Sequence, residues 1–282
     1  MKPFSTEDSQ CAICLDLMHS SSVVTILSCR YKFHAACVGG LRRFGVSKIC
    51  PVCRGELNDI DKLFSDGRRS KMMISRQVER TRDSWQALSP YEQQTINNVI
   101  VKWQEAAEQG HTDAQCNLGY MFDHGQGVVK NHKEAARWYG LAAEQGNAWA
   151  QCNLGVIFAN GHGVEKNHKE AARWSRLAAE QGHADAQFNL GLMFDQGRGV
   201  EKNDKEALLW YRLAAEQGHA DAQCNLGVAF HHGLGVEQNY NEATRWYRLA
   251  AEQGNAEAQC NLGFAFQRGE GVEQNQDEAL QW

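Results

Sequence analysis

Seven residues between Cys11 and Cys53 carry donor atoms suited to a metal. The stretch reads C-A-I-C, then fourteen residues, then C-R-Y-K-F-H-A-A-C, then twelve, then C-P-V-C-R. Two C-x-x-C hooks therefore bracket a central C-x4-H-x2-C cluster. Thiolate and imidazole are the ligands that zinc prefers, and a two-residue gap lets both sulfurs of a hook reach one tetrahedral ion. One hook alone is weak; two hooks around a Cys/His cluster point to zinc.

This spacing resembles the RING finger family, in its form with two central histidines, over about the first fifth of the chain. The resemblance implies interleaved ligands, so that the first and third pairs hold one ion and the second and fourth pairs the other. Carried onto this chain, Cys11, Cys14, His34 and Cys37 form the first zinc site, and Cys29, Cys50 and Cys53 supply three ligands of the second. The family pattern asks for a histidine two residues after Cys29, where Tyr31 stands. A phenol titrates near pH 10 and an imidazole near 6.5, so placing a phenolate on zinc at neutral pH costs roughly 4 kcal/mol before any bond forms. Apparent zinc affinities in small fingers run to about 10–16 kcal/mol. Two ions are expected, the second held more weakly.

The same resemblance implies a ubiquitin ligase that docks a charged ubiquitin-conjugating enzyme and forms no covalent intermediate of its own. The docking positions map onto Ile13, between the first two ligands; Leu41, where many members carry tryptophan; Pro51, after the seventh ligand; and Arg54, just past the last. Each also has a plainer reading: Ile13 and Leu41 as filling for a small core, Pro51 as a turn residue, Arg54 as a solvated charge. Together on a RING ligand frame they read as a docking surface.

Around this stretch the chain of 282 residues has room for two units. Its net charge of −5 is too mild to imply nucleic acid or an anionic membrane as partner. No run approaches the eighteen consecutive apolar residues of a membrane span, and the first ten residues lack the apolar core of a secretory signal. Ten cysteines without such a signal point to metal or buried thiols, and to cytoplasm or nucleus.

The finger is assigned to residues 1–56 and a charged linker to 57–90. Arg68, Arg69, Lys71, Arg76, Arg80 and Arg82 make the linker basic, which reads either as a nuclear address or as the solvated face of a helix over about Lys71 to Trp85. Ser89-Pro90-Tyr91-Glu92 then carries the marks of a helix start: a capping serine, a proline at the first position and a glutamate at the third.

From there to residue 282 the chain repeats itself. Trp138, Trp174, Trp210, Trp246 and Trp282 are 36 residues apart, and A-A-E-Q-G and N-L-G recur on that period. Each copy reads as two helices, in the first copy about Asp113 to His124 and His132 to Gln145. The glycine pair Gly125/Gly127 breaks the first helix, and Asn131 with Glu134 starts the second as a reciprocal cap. Such a period marks a solenoid in which each unit packs on its neighbours. The motif A-x-x-x-L-G-x-x-x-x-x-G-x-G-V followed by A-x-x-W-x-x-x-A-A-x-Q-G resembles the Sel-1-like repeat family, a relative of tetratricopeptide repeats, over residues 111–282. The expected fold is mainly α: an α-solenoid of helix-pair repeats behind a small, zinc-stapled RING domain. A cap helix is expected over 91–109, with core positions Val99, Ile100, Trp103 and Ala106. The last copy stops at Trp282 in mid-helix and reads as shortened or degenerate.

Within the array, Phe122, Phe158, Phe194, Phe230 and Phe266 are expected in the core. So are Cys116, Cys152, Cys224 and Cys260, acting as small hydrophobes, since one thiol per copy cannot converge on a metal. His111, His183 and His219 alternate with Asn147 and Asn255 at a helix start, which suits hydrogen bonding. No catalytic residue is expected. Trp149 stands where other copies have Asp113, Asp185, Asp221 and Glu257, and it reads either as an exposed partner-binding residue or as a ring laid on a neighbouring turn. A second varying set is Gln126/His162/Arg198/Leu234/Glu270.

Two functions fit: a RING-type ubiquitin-protein ligase whose repeats recruit the protein substrate, or a non-enzymatic zinc-finger adaptor for protein–protein interaction.

Overall fold

The structure, a computed structural model, describes residues 23–25, 32–34, 67, 68, 71, 75, 85 and 88–282. The chain divides into two compact units, residues 1–145 and 146–282, so the division falls inside the repeat array.

In the first unit the β-favouring V-V-T and K-F-H runs form β1 (Val23–Thr25) and β2 (Lys32–His34), which pair antiparallel with Val23 opposite His34. Three helices follow: α1 (Pro90–Glu108), α2 (Thr112–His124) and α3 (His132–Glu144). The capping box at the start of α1 is complete. Ser89 Oγ accepts from Glu92 N at 3.4 Å, and Glu92 Oε2 accepts from Ser89 N at 2.8 Å. Ile96, Val99, Trp103 and Ala106 form the buried stripe of α1, with Ile100 half-buried beside it, and they pack with Leu118, Met121 and Trp138. The cap helix thus closes the first copy's core as expected from its spacing.

The linker is not simply a solvated face. Gly67, Arg68, Lys71 and Ser75 are helical, so helix begins before Lys71, while Trp85 sits in a turn. Gly67 lies so close to the Trp103 indole that a Cβ there would overlap it. Lys71 Nζ stands 5.6 Å from the centre of the Trp103 ring and 5.1 Å from that of Tyr120.

The second unit continues the helix pairs: α4 (Ala148–Asn160) and α5 (His168–Glu180), α6 (Ala184–Gln196) and α7 (Asp204–Glu216), α8 (Ala220–His232) and α9 (Tyr240–Glu252), and α10 (Ala256–Arg268) with the short α11 (Gln276–Gln281). These are the helix-pair repeats of an α-solenoid. Every first helix ends on a left-handed glycine, as Gly125 (φ 67°) does for α2. Each second helix starts at a capping asparagine. Asn167 Oδ1 accepts from Lys169 N and Glu170 N, both at 3.1 Å. The expected reciprocal half of that cap is replaced: Glu170 turns along the helix to Arg173, at 3.0 Å. The asparagine already satisfies the free amides, and an i,i+3 ion pair uses the carboxylate better on an exposed face.

Alanines and aromatics build the core of this unit, with Leu190, Leu226 and Leu262 wholly buried. Phe194, Phe230 and Phe266 are buried, and Phe122 and Phe158 half-buried. Cys116, Cys152 and Cys224 are buried, but Cys260 is exposed, contrary to expectation. Cys152 and Cys224 lie in the core cluster with residues of the following copy, whereas Cys260 lies in the last copy described.

Candidate functional site

Of the candidate ligands between Cys11 and Cys53, His34, the last residue of β2, is the one that falls among the described residues. Strand pairing sets the backbone of His34, a candidate ligand, opposite Val23. Cys11, Cys14, Cys29, Tyr31, Cys37, Cys50 and Cys53 lie outside the described residues, as do Ile13, Leu41, Pro51 and Arg54. By donor chemistry the set suits zinc: six thiols and an imidazole are soft and borderline ligands, a combination that disfavours magnesium or calcium.

The array's own cysteines do not share that chemistry. Burial, and then the nearby Asp113, push the Cys116 thiol up to about 12, and burial with Asp185 does the same to Cys152. Such thiols stay protonated at neutral pH and are poor ligands and nucleophiles. Among the described residues no group of three His, Cys, Asp or Glu side chains could hold a metal ion.

The His/Asn alternation at first-helix starts is a cap. His111 Nδ1 accepts from Ala114 N at 3.1 Å and His219 Nδ1 from Ala222 N at 3.2 Å, while Asn147 and Asn255 accept from the equivalent amides at 2.8 Å. An accepting Nδ1 places the ring proton on Nε2, and His219 Nε2 lies 3.4 Å from Asp185 Oδ1. Asn255 Nδ2 reaches Asp221 one copy earlier at 2.7 Å. Both residue types thus offer one acceptor to the helix and one donor to the preceding copy. His183 makes no such cap bond.

Sequence reasoning missed a second set, the glutamines. Gln187 is 4% exposed, donates to Ala179 O at 3.2 Å at the end of the preceding copy, and accepts from Gln217 Nε2 at 2.7 Å. Gln223 repeats this with Ala215 and Gln253, and in the first unit Gln115 does so with Ala107 and Gln145. Gln187 and Gln223 each tie two copies together, and Gln115 ties the first copy to the cap helix. The signal was present in the recurring A-Q and E-Q-G, but only the fold shows that these glutamines meet.

On the outside, Trp149 remains 38% exposed near the start of α4, and its counterparts Asp113, Asp185, Asp221 and Glu257 are exposed too. Of the second varying set, His162, Arg198 and Leu234 are exposed and Gln126 is half-buried. Glu270 departs from this: it accepts from or pairs with His231 Nε2 at 3.0 Å, and so links two copies. No helix among the described residues is long and apolar enough to cross a membrane.

Comparison with known proteins agrees with both halves of this picture. Residues 112–147, 150–183, 184–219, 220–255 and 256–282 match the family described as Sel1 repeat, and residues 9–54 match that described as Ring finger domain. Among solved structures, a Sel1 repeat protein from Oxalobacter formigenes is 40% identical, with 68% of this chain and 79% of that one covered and a TM-score of 0.63. The protein c5321, described as a protective antigen of uropathogenic Escherichia coli displaying an SLR fold, is 31% identical with a TM-score of 0.66; 78% of this chain is covered but only 46% of that one. No curated relative matches the chain.

Proposed function

We propose, from the premise that this chain belongs to the Sel1 repeat family and carries a ring finger before its repeats, that it is a ubiquitin-protein ligase of the RING type. The observation that carries the reading is the pairing, in one chain, of the Cys11–Cys53 ligand frame with helix-pair repeats that display varying residues on a constant core. Zinc, held by Cys11, Cys14, His34 and Cys37 at one site and by Cys29, Cys50 and Cys53 at a weaker second one, cross-links the finger into a rigid platform. Ile13, Leu41 and Pro51 give that platform an apolar face for a ubiquitin-conjugating enzyme, and Arg54 bridges the enzyme and its ubiquitin. The repeat array holds the protein to be modified. An amine of that protein attacks the ubiquitin thioester carbonyl; the new amide forms as the C–S bond breaks, and the thiol leaves with the conjugating enzyme. This chain contributes orientation only, which is worth several orders of magnitude in rate when the reacting groups are held in line. Cytoplasm or nucleus is the compartment this reading requires.

Tyr31 and the small Leu41 favour a second reading, a zinc-stapled adaptor that gathers partners without transferring ubiquitin. A discharge assay separates the two. The purified chain should accelerate loss of ubiquitin from a charged conjugating enzyme to free lysine, and Arg54→Ala should abolish the acceleration while leaving bound zinc unchanged. No acceleration by the parent chain, with both ions present, would establish the adaptor.

A further inference from the structure

One buried position separates the second copy from its neighbours. Tyr139, Ser175, Tyr211 and Tyr247 occupy it in the first four copies. In the third copy the Tyr211 ring lies flat on Gly191, so close that a Cβ there would stand 2.7 Å from its Cδ1, and Tyr247 covers Gly227 in the same way. Ser175 faces Gly155 instead and carries no ring. The second unit therefore has a cavity of about 280 Å3 over Gly155 and Ser175, against about 80 Å3 in the matching space beside Tyr211.

The lining changes along with the volume. Asp195, Asp204 and Leu234 border the space beside Tyr211; Ala159, His168 and Arg198 are their counterparts in the larger cavity. Two carboxylates are lost and a guanidinium is gained. Lys166 and Arg198 stand exposed at the rim, and no carboxylate is among the lining residues. Inside, Ser175 is 1% exposed and its Oγ has no hydrogen-bond partner, and the buried Nδ1 of His168 has none either. The Tyr211 hydroxyl of the third copy is unpartnered as well, but only in the second copy do the unpartnered atoms line a cavity large enough for a ring, where an occupant could bond them.

We propose that this cavity binds a small aromatic anion. A phenyl-sized ring sits on Gly155, where sister copies seat their own tyrosine. Its carboxylate or phosphate group faces Lys166 and Arg198, whose guanidinium suits either acid, and Ser175 and His168 supply the inner hydrogen bonds. The volume is near the lower end of small-molecule sites, roughly 300–1,000 Å3, and suits one substituted ring. A free aryl acid and the phosphotyrosine of a peptide share this chemistry.

Phenyl phosphate, titrated calorimetrically into the full chain, is the probe. It should bind saturably, at least tenfold more tightly than phenol or inorganic phosphate. Ser175→Tyr, which restores the residue of three sister copies, should weaken it more than tenfold while the melting temperature holds or rises. Arg198→Leu should weaken phenyl phosphate about tenfold and leave phenol unchanged. His168→Asp, on the cavity wall and carrying the third copy's charge, should also weaken it and provides a second variant should Ser175→Tyr misfold. A phosphotyrosine peptide that binds as well as phenyl phosphate assigns the site to a protein side chain; one that fails assigns it to a free aryl acid. Absence of saturable binding, inorganic phosphate binding equally well, or unchanged affinity in the folded Ser175→Tyr and His168→Asp variants would overturn the proposal.

Discussion

The finger and the array answer the loss of one residue in opposite ways. About forty residues bury too little to fold alone, so in the finger the metal's binding free energy is folding free energy. On the proposed ligand set, Tyr31 in place of a ligand would therefore weaken a whole site. In the array each copy packs only on its neighbours and each helix carries its own caps, so Ser175 in place of a tyrosine leaves a local cavity and the helices on either side keep their length. Order held by a few strong bonds is lost all at once, whereas order held by many repeated contacts is lost locally.

Removing zinc tests this contrast most severely. A strong chelator should unfold the finger, a change of about 10–16 kcal/mol in apparent terms, while the helical circular-dichroism signal of the array stays nearly constant. Metal analysis during the titration should show the ions leaving in two steps, and Tyr31→His should move the first step, loss from the weaker site, towards the second. If the helices melt with the finger, the two regions are not independent.

Within the array, Tyr211→Ser copies the second copy's cavity into the third. It should cost about 3 kcal/mol, the range for deleting a buried aromatic ring, and calorimetry should place that loss in residues 146–282. A loss below about 1 kcal/mol would mean that the ring is not needed for packing there.

Lys71 offers a smaller, pH-dependent test. Burial pulls its ammonium from 10.5 down to about 8. The folded chain then binds fewer protons than the unfolded chain between those values, so this lysine opposes folding most below pH 8 and the penalty fades as pH rises to 10.5. Allowing for the attraction of the Trp103 and Tyr120 rings, Lys71→Met should stabilise the first unit by about 2 kcal/mol at pH 7. The gain over the parent should vanish near pH 10.5, where both side chains are neutral. A gain that does not change with pH would mean that it comes from packing, with no charge involved.

The smallest effect on stability is expected at Trp149. Trp149→Asp restores the acidic residue of the other copies and should leave the melting free energy within about 0.5 kcal/mol. Affinity for a protein partner should fall roughly ten- to a hundredfold, as expected for removing a large apolar contact. A large drop in melting temperature would show that the indole is part of the core, and unchanged capture would remove it from the partner surface.

Much of the array was legible because its rules act over short distances. Ser89, Asn167 and Gly125 cap or stop helices through bonds to residues two to four positions away, so their effect can be read from their neighbours in sequence. Relationships across copies were not legible in this way. Gln187 is paired with Ala179 and Gln217, and Cys152 is buried in a cluster with residues of the following copy. Lys71 looked like one more basic linker residue until Trp103 and Tyr120 were placed around it.

Residue order alone settled the period, the helix limits, the aromatic core and the set of soft donors between Cys11 and Cys53, because each follows from spacing along one chain and the chemistry of single side chains. Tertiary structure decided which buried amides find partners, which thiols are shielded enough to be inert, and that exchanging Tyr for Ser at position 175 opens a basic-rimmed cavity. Those outcomes turn on the distance between side chains on different helices, and only packing sets that distance.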